Sequence, residues 1–164
     1  MVVNLKWCCR KDGGIGIIEP NNNLSAGYIQ MAENAIGTMN REKGLNLQFA
    51  ISACYYSMYY SLYSVLMKLG IKCEIHACTL EFMKKILKNL YSDNDYKIIK
   101  KAFGARDTSQ YYVDKIVSRE DIDFIFLSAI PFFNKSKEIL SKINEKNILD
   151  IRKEIKSIID GKTN

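Results

Sequence analysis

LNLQFAISACYYSMYYSLYSVLMKL, residues 45–69, lies between Gly44 and Gly70 and contains no proline and no internal glycine. As a helix it makes about seven turns. Ala50, Ala53, Ser57, Ser61 and Ser64 recur at three- and four-residue steps, a face of small side chains that lets another backbone come close. Cys54, Met58, Leu62, Val65 and Leu66 form a bulky apolar face beside it. Tyr55, Tyr59 and Tyr63 repeat at four-residue spacing, as do Tyr56 and Tyr60. A helix that is apolar nearly all round has to be enclosed by others, so the stretch predicts the central helix of an all-α domain. A membrane span is the competing reading. The tyrosines, serines and Gln48 argue against it, because buried hydroxyls need partners that lipid does not supply.

Upstream, Gly13, Gly14, Gly16, Pro20 and Asn21–Asn23 mark residues 1–23 as an irregular N-terminal segment. Its GGIG run lacks the Gly-Lys-Ser/Thr of a phosphate-cradling loop and reads as a turn. Asn23 is placed to cap a helix from Leu24 to about Met39, burying Leu24, Tyr28, Met31, Ala32, Ala35 and Met39. Downstream, Leu80, Met83, Ile86, Leu87 and Leu90 predict a helix over about 77–90. Ser92 or Asp93 caps a shorter helix to about Phe103, stopped by Gly104. Ser118 with Asp121 opens a helix to about Ile143 that contains Pro131, and Asn147 caps a last one to Ile159. The expected architecture is an all-α, up-and-down bundle of four to six helices, one domain over residues 24–160.

The chain carries a net charge of +6, with its basic residues concentrated at Lys84, Lys85, Lys88, Lys97, Lys100, Lys101 and Arg106. Such a patch suits an anionic partner as well as it suits a solvated helix face. The first residues, MVVNLKWCCRKD, do not make a secretory signal. A cytoplasmic chain follows as the expectation, with its five cysteines reduced. Cys73, His76 and Cys78 do not have zinc-ligand spacing, so no metal and no cofactor is expected. His76, the only histidine, reads as a helix-start or loop-bonding residue. GARDTSQYYVD, residues 104–114, is the most loop-like polar stretch and follows the basic patch. There Arg106 could grip a phosphate through its fork of donors, with Tyr111 or Tyr112 offering a face to a base. In the plainer reading Arg106 pairs with Asp107 or Asp114 and the tyrosines complete the core.

Three segments taken in order carry a resemblance. GIGIIEPNNNLSAGYIQMAENAI (14–36) holds an Ile-Glu-Pro-Asn start and Leu-x3-Tyr-x2-Met-Ala-Glu. SACYYSMYYSLYSVLMKLGIKCEIHACTLEFM (52–83) holds Tyr-Tyr-x-Met-Tyr and Gly-x5-His. ARDTSQYYVDKIVSREDIDFIFLSAIPFFNKSKEIL (105–140) holds an Arg and then Tyr-x-x-Asp before the last long helix. Over about residues 14–145 the chain resembles the HEPN superfamily, its short stand-alone archaeal and bacterial members above all. The resemblance implies a four- to five-helix bundle that dimerises with a second copy. It also implies work beside a minimal nucleotidyltransferase in a toxin–antitoxin pair. Catalytic members are metal-independent endoribonucleases with an Arg-x4–6-His motif, in which the His moves protons and the Arg holds the phosphate. Arg106 matches the arginine, but the window that should hold the histidine contains Tyr111, Tyr112 and Val113, and no histidine follows. Tyrosine is a poor base near pH 7. The expectation is therefore a degenerate module that binds RNA or a nucleotide through Arg106, Tyr111, Tyr112, Lys97, Lys100 and Lys101. Two alternatives stand beside it: a ribonuclease in which Arg106 works with His76 or Tyr111, and a protein-interaction domain.

Overall fold

A computed structural model describes residues 3–161. In chain order it contains α1 (Leu5–Cys8), β1 (Gly16–Ile17), α2 (Asn22–Glu42), α3 (Leu47–Leu69), β2 (Ile71–Lys72), α4 (His76–Lys85), α5 (Asp93–Tyr111), α6 (Arg119–Lys142) and α7 (Glu145–Ile159). The architecture is all-α, a helical bundle with one two-residue antiparallel bridge between β1 and β2. Among the described residues no helix is long and apolar enough to cross a membrane.

α3 is the axis. It packs most extensively on α2 and also meets α5, α6, α7 and β2. Nearly all of its residues from Ala50 onward are buried. Its serines tolerate this because each bonds a carbonyl one turn back. Ser57 donates to the Cys54 carbonyl at 2.7 Å, Ser61 to the Ser57 carbonyl at 2.6 Å and Ser64 to the Ser61 carbonyl at 2.7 Å. A small, self-satisfied hydroxyl brings no unpaired polar group into the core. The Asn46 side chain caps α3 by accepting from the Phe49 amide, and Gly70 ends it in the left-handed conformation at φ 72°.

Gly70 is a tight joint in the fold. A Cβ there would lie 2.6 Å from the Ile18 carbonyl oxygen and 2.9 Å from the Pro20 nitrogen. The Gly70 carbonyl also accepts from Arg152 of α7 at 3.1 Å and from the Ile18 amide at 2.9 Å. Gly70→Ala is expected to lower stability by about 3 kcal/mol, from left-handed backbone strain together with a backbone collision. Urea unfolding measures it, and a loss below about 1 kcal/mol would mean that the 18–20 segment yields freely.

Several boundaries differ from the sequence-based expectation. Asn21 rather than Asn23 caps α2, which begins before Leu24 and continues to Glu42. α4 starts at His76 and ends at Lys85, so Ile86–Leu90 fold as turns instead of a further helical stretch. Asn144 caps α7, and Asn147 bonds back to it as the third residue of a capping box. Gly104 does not stop α5, which runs to Tyr111, so most of the supposed loop 104–114 is helix. α5 is instead fixed at its start, where Ser92 and Asp95 form a capping box and Asp95 also pairs with Lys135 of α6.

The cysteines overturn one expectation outright. Cys8 and Cys78 form a disulfide, with Cα atoms 5.5 Å apart, joining α1 to α4 across 70 residues of sequence. Cys9, Cys54 and Cys73 are free thiols. Burial pushes the Cys54 thiol up to about 12, with nearby Lys43 opposing weakly. Burial raises Cys9, with neighbouring Cys73 adding to it, and burial raises Cys73 against the opposing hydrogen bonds of Thr79 and Ile75. All three stay protonated and unreactive near neutral pH.

Candidate functional site

The site forms where the middle of α3, the start of α4 and the last turns of α5 converge. Arg106 is held on α5 with its residue surface only 7% exposed. Its Cζ lies 5.1 Å from the Tyr55 ring centre, 5.2 Å from Phe103, and 5.9 Å from both Tyr56 and Tyr111. A delocalised guanidinium is the cation best suited to such a box, because its faces lie against ring faces while its edge keeps its donors. Nη1 pairs with Asp107 at 3.0 Å and reaches the Tyr111 hydroxyl at 3.5 Å, the outer limit of a hydrogen bond. Nε is buried without a hydrogen-bond partner.

Tyr55 connects this cation to His76. The Tyr55 hydroxyl lies 2.7 Å from His76 Nδ1. The imidazole stacks on Tyr59, with ring centres 4.1 Å apart and planes within 8° of parallel. Burial lowers the His76 pKa below its ordinary value, the Arg106 charge lowers it further, and Asp107 works in the opposite direction. The ring is therefore neutral near pH 7. Burial, followed by neighbouring Tyr59, pushes Tyr55 far up, so its hydroxyl keeps its proton. Tyr55 is fully buried, and its O–H needs an acceptor. Nδ1 of His76 supplies it. This assigns the lone pair to Nδ1 and the proton to Nε2. Nε2–H makes no hydrogen bond to the described residues. The site thus offers two unused N–H donors, Arg106 Nε and His76 Nε2, with aromatic rings around them.

His76 has a folded pKa below the unfolded value of about 6.5, so its contribution to stability is intact above that value. It is lost as pH falls through the folded pKa, because the unfolded chain takes up the proton first. His76→Gln is expected to flatten the stability profile between about pH 7 and pH 5. NMR can follow the same event without ambiguity, since the chain has a single histidine. Titration below the ordinary midpoint with an Nε2-protonated tautomer is the expected spectrum, and an Nδ1-protonated ring would overturn the assignment.

The other sequence-derived candidates spread out. Tyr111 is 68% exposed, Tyr112 47%. With Gln48, Phe49, Ser109, Gln110 and Val113 they line a groove of about 320 Å³ at the end of α5. Neither tyrosine completes the core, although the Arg106–Asp107 pair does form. Lys115 stands 3.7 Å over the Tyr112 ring. Lys97 and Lys100 are exposed on α5, and Lys101 pairs with Asp121 of α6. Tyr55, Tyr56 and Phe103 belong to the site although the sequence marked none of them for it, and Asp107 belongs to it as the partner that the plainer reading gives Arg106. Tyr55 and Tyr56 had been assigned to packing, and nothing in sequence spacing relates them to an arginine 50 residues away. Among the described residues no group of three or more His, Cys, Asp or Glu is placed to hold a metal.

The fold is thus an all-α bundle with an α5 arginine sunk among aromatic side chains near a histidine. The chain belongs to the HEPN domain family, which it matches over residues 28–140. It is also 30% identical, over 103 residues, to a protein of Methanocaldococcus jannaschii that carries the name "Putative toxin MJ0142". The match covers 62% of this chain and 68% of that protein.

Proposed function

We propose that this chain is the HEPN component of a two-protein, toxin–antitoxin type system, holding RNA or a nucleotide phosphate at Arg106 without cleaving it. The toxin name carried by its relative supports the setting, and the family resemblance supports a minimal nucleotidyltransferase as partner and a second copy of the chain as dimer mate. The observation that carries the reading is the hydrogen-bond chain through Tyr55. A ribonuclease of this family needs an imidazole lone pair facing the ribose hydroxyl. Here the lone pair is turned inward to Tyr55, and the outward nitrogen carries a proton that donates to a phosphate oxygen or a hydroxyl instead. Arg106 adds the charge, and its orphaned Nε is a donor in search of an anion. Tyr111 covers the guanidinium through a hydroxyl contact of 3.5 Å and a ring centre 5.9 Å away, both at the outer limit of such contacts, so a ligand displaces it at small cost. Tyr111, a mostly exposed residue, is then the tyrosine most open to modification by a nucleotidyltransferase partner.

The second reading, metal-independent cleavage by Arg106 and His76, draws on the same proximity and is separable by one experiment. Labelled mixed-sequence RNA is incubated with the protein in EDTA, and binding and chain length are recorded on the same samples. Retained, intact RNA is the expected result. Shortened RNA whose production disappears in His76→Gln would replace binding with catalysis, and RNA neither bound nor cut would leave protein–protein interaction as the function.

A further inference from the structure

A second cationic feature lies beside the Arg106 site, on the other side of Phe103. Tyr96, Lys100, Phe103 and Arg106 follow one another along α5 at steps of four, three and three residues, so they form one continuous ridge. Lys84 reaches the same ridge from α4. Its Nζ stands 5.0 Å from the Tyr96 ring centre, and Lys100 Nζ stands 5.7 Å from it. Two ammonium groups from two helices are thus held around one ring face or edge, each with a preference for staying there. Beside them runs a groove of about 210 Å³ lined by Ala77, Leu80, Glu81, Tyr96, Lys100 and Phe103. Its near end is shared with the first site. Ala77 follows His76 directly, and Phe103 touches both the Arg106 guanidinium and the His76 ring.

We infer that this groove is a subsite for the phosphate backbone of a single-stranded RNA whose neighbouring phosphate sits at Arg106, with Lys84 and Lys100 as its charged contacts. The inference rests on the proposed function and adds a direction: the strand passes from Arg106 over Phe103 toward Tyr96. Charge complementarity selects a polyanion over an acidic peptide, because both lysines are exposed point charges of the kind that track a phosphate backbone, and no donor in the groove reads a fixed carboxylate geometry. Glu81 is the one acidic side chain in the groove and opposes the ligand. It gives the inference a test of opposite sign.

The experiment compares a labelled RNA decamer with a dinucleotide across a salt series. Wild type is expected to bind the decamer more tightly. Lys84→Gln/Lys100→Gln should weaken the decamer about tenfold and make its log–log salt slope shallower by about 1.4, while leaving the dinucleotide unchanged. Glu81→Gln should strengthen decamer binding. Lys146→Gln/Lys153→Gln on α7 removes the same charge elsewhere and should have the smaller effect. A double lysine variant indistinguishable from that control, with Arg106→Ala still impaired, would overturn the subsite and leave the Arg106 site standing. Wild type binding neither oligonucleotide would overturn both.

Discussion

Removing the Cys8–Cys78 disulfide, by Cys8→Ala/Cys78→Ala or by reduction during unfolding, is expected to lower the unfolding free energy by about 4 kcal/mol. The cross-link closes a loop of 70 residues that contains α2 and α3, so opening it restores much freedom to the unfolded chain. Both half-cystines are fully buried in the common core with Ile15, Cys73 and Phe82. An external thiol does not reach them until the bundle opens, and reduction should therefore track global unfolding. The rest of the N-terminal segment is fastened independently, by the β1–β2 bridge and by the Gly13 carbonyl accepting from the Glu74 amide at 2.8 Å. Those bonds give the alternative a clear signature. If reduction leaves the urea midpoint in place, closing the loop adds nothing to stability, and the loop-entropy argument fails. If it produces the expected loss, a fluorescence signal from Trp7 and a helical signal from the bundle should shift together, because α1 and α4 then unfold with α3.

The axis of the fold was legible because α3 is bounded by glycines and apolar on nearly every face, which leaves a chain of this size one way to bury it. The caps were legible to within a residue or two, since several asparagines compete at each start and the winner is set by where the helix docks: Asn21 and Asn144 prevailed over Asn23 and Asn147. Gly104 misled for a physical reason. A glycine within a helix costs about 1 kcal/mol relative to alanine, and α5 tolerates it because Ile99, Ala102, Ala105 and Arg106 are buried on either side of it. The arginine of the site was identifiable from its family-like setting. Its proximity to His76 entered only as an alternative, because it is made by Tyr55 on a third helix, and a tyrosine in an i, i+4 ladder looks the same in sequence whether it packs or bonds a histidine. The disulfide was hidden for a similar reason. Cys8 and Cys78 have no regular spacing, and their meeting depends on a segment whose path is set by the Gly13–Glu74 and Ile15–Cys8 backbone bonds.

Arg106→Ala is expected to weaken RNA or nucleotide binding by about 100-fold, the loss of one charged hydrogen-bonding group from a partly enclosed site. The variant also empties a box of four aromatic rings, so a drop in affinity alone would not distinguish a lost ligand contact from a collapsed pocket. Two further observations separate them. The first is His76, whose pKa is held down by burial and then by the Arg106 charge. Deleting that charge should raise the imidazole's midpoint toward the ordinary histidine value in a site that otherwise keeps its shape. The second is Arg106→Lys, which restores a positive charge but not a planar fork, and a lysine at a bidentate, ring-enclosed position is not equivalent. It should keep the low His76 midpoint and recover little of the binding. An Arg106→Ala protein that binds RNA like wild type while its His76 midpoint rises would show a cation that serves only to brace Tyr55, Tyr56 and Phe103. The bundle would then be an interaction domain with a structural arginine, and the ridge from Tyr96 to Arg106 would lose the phosphate that orients it.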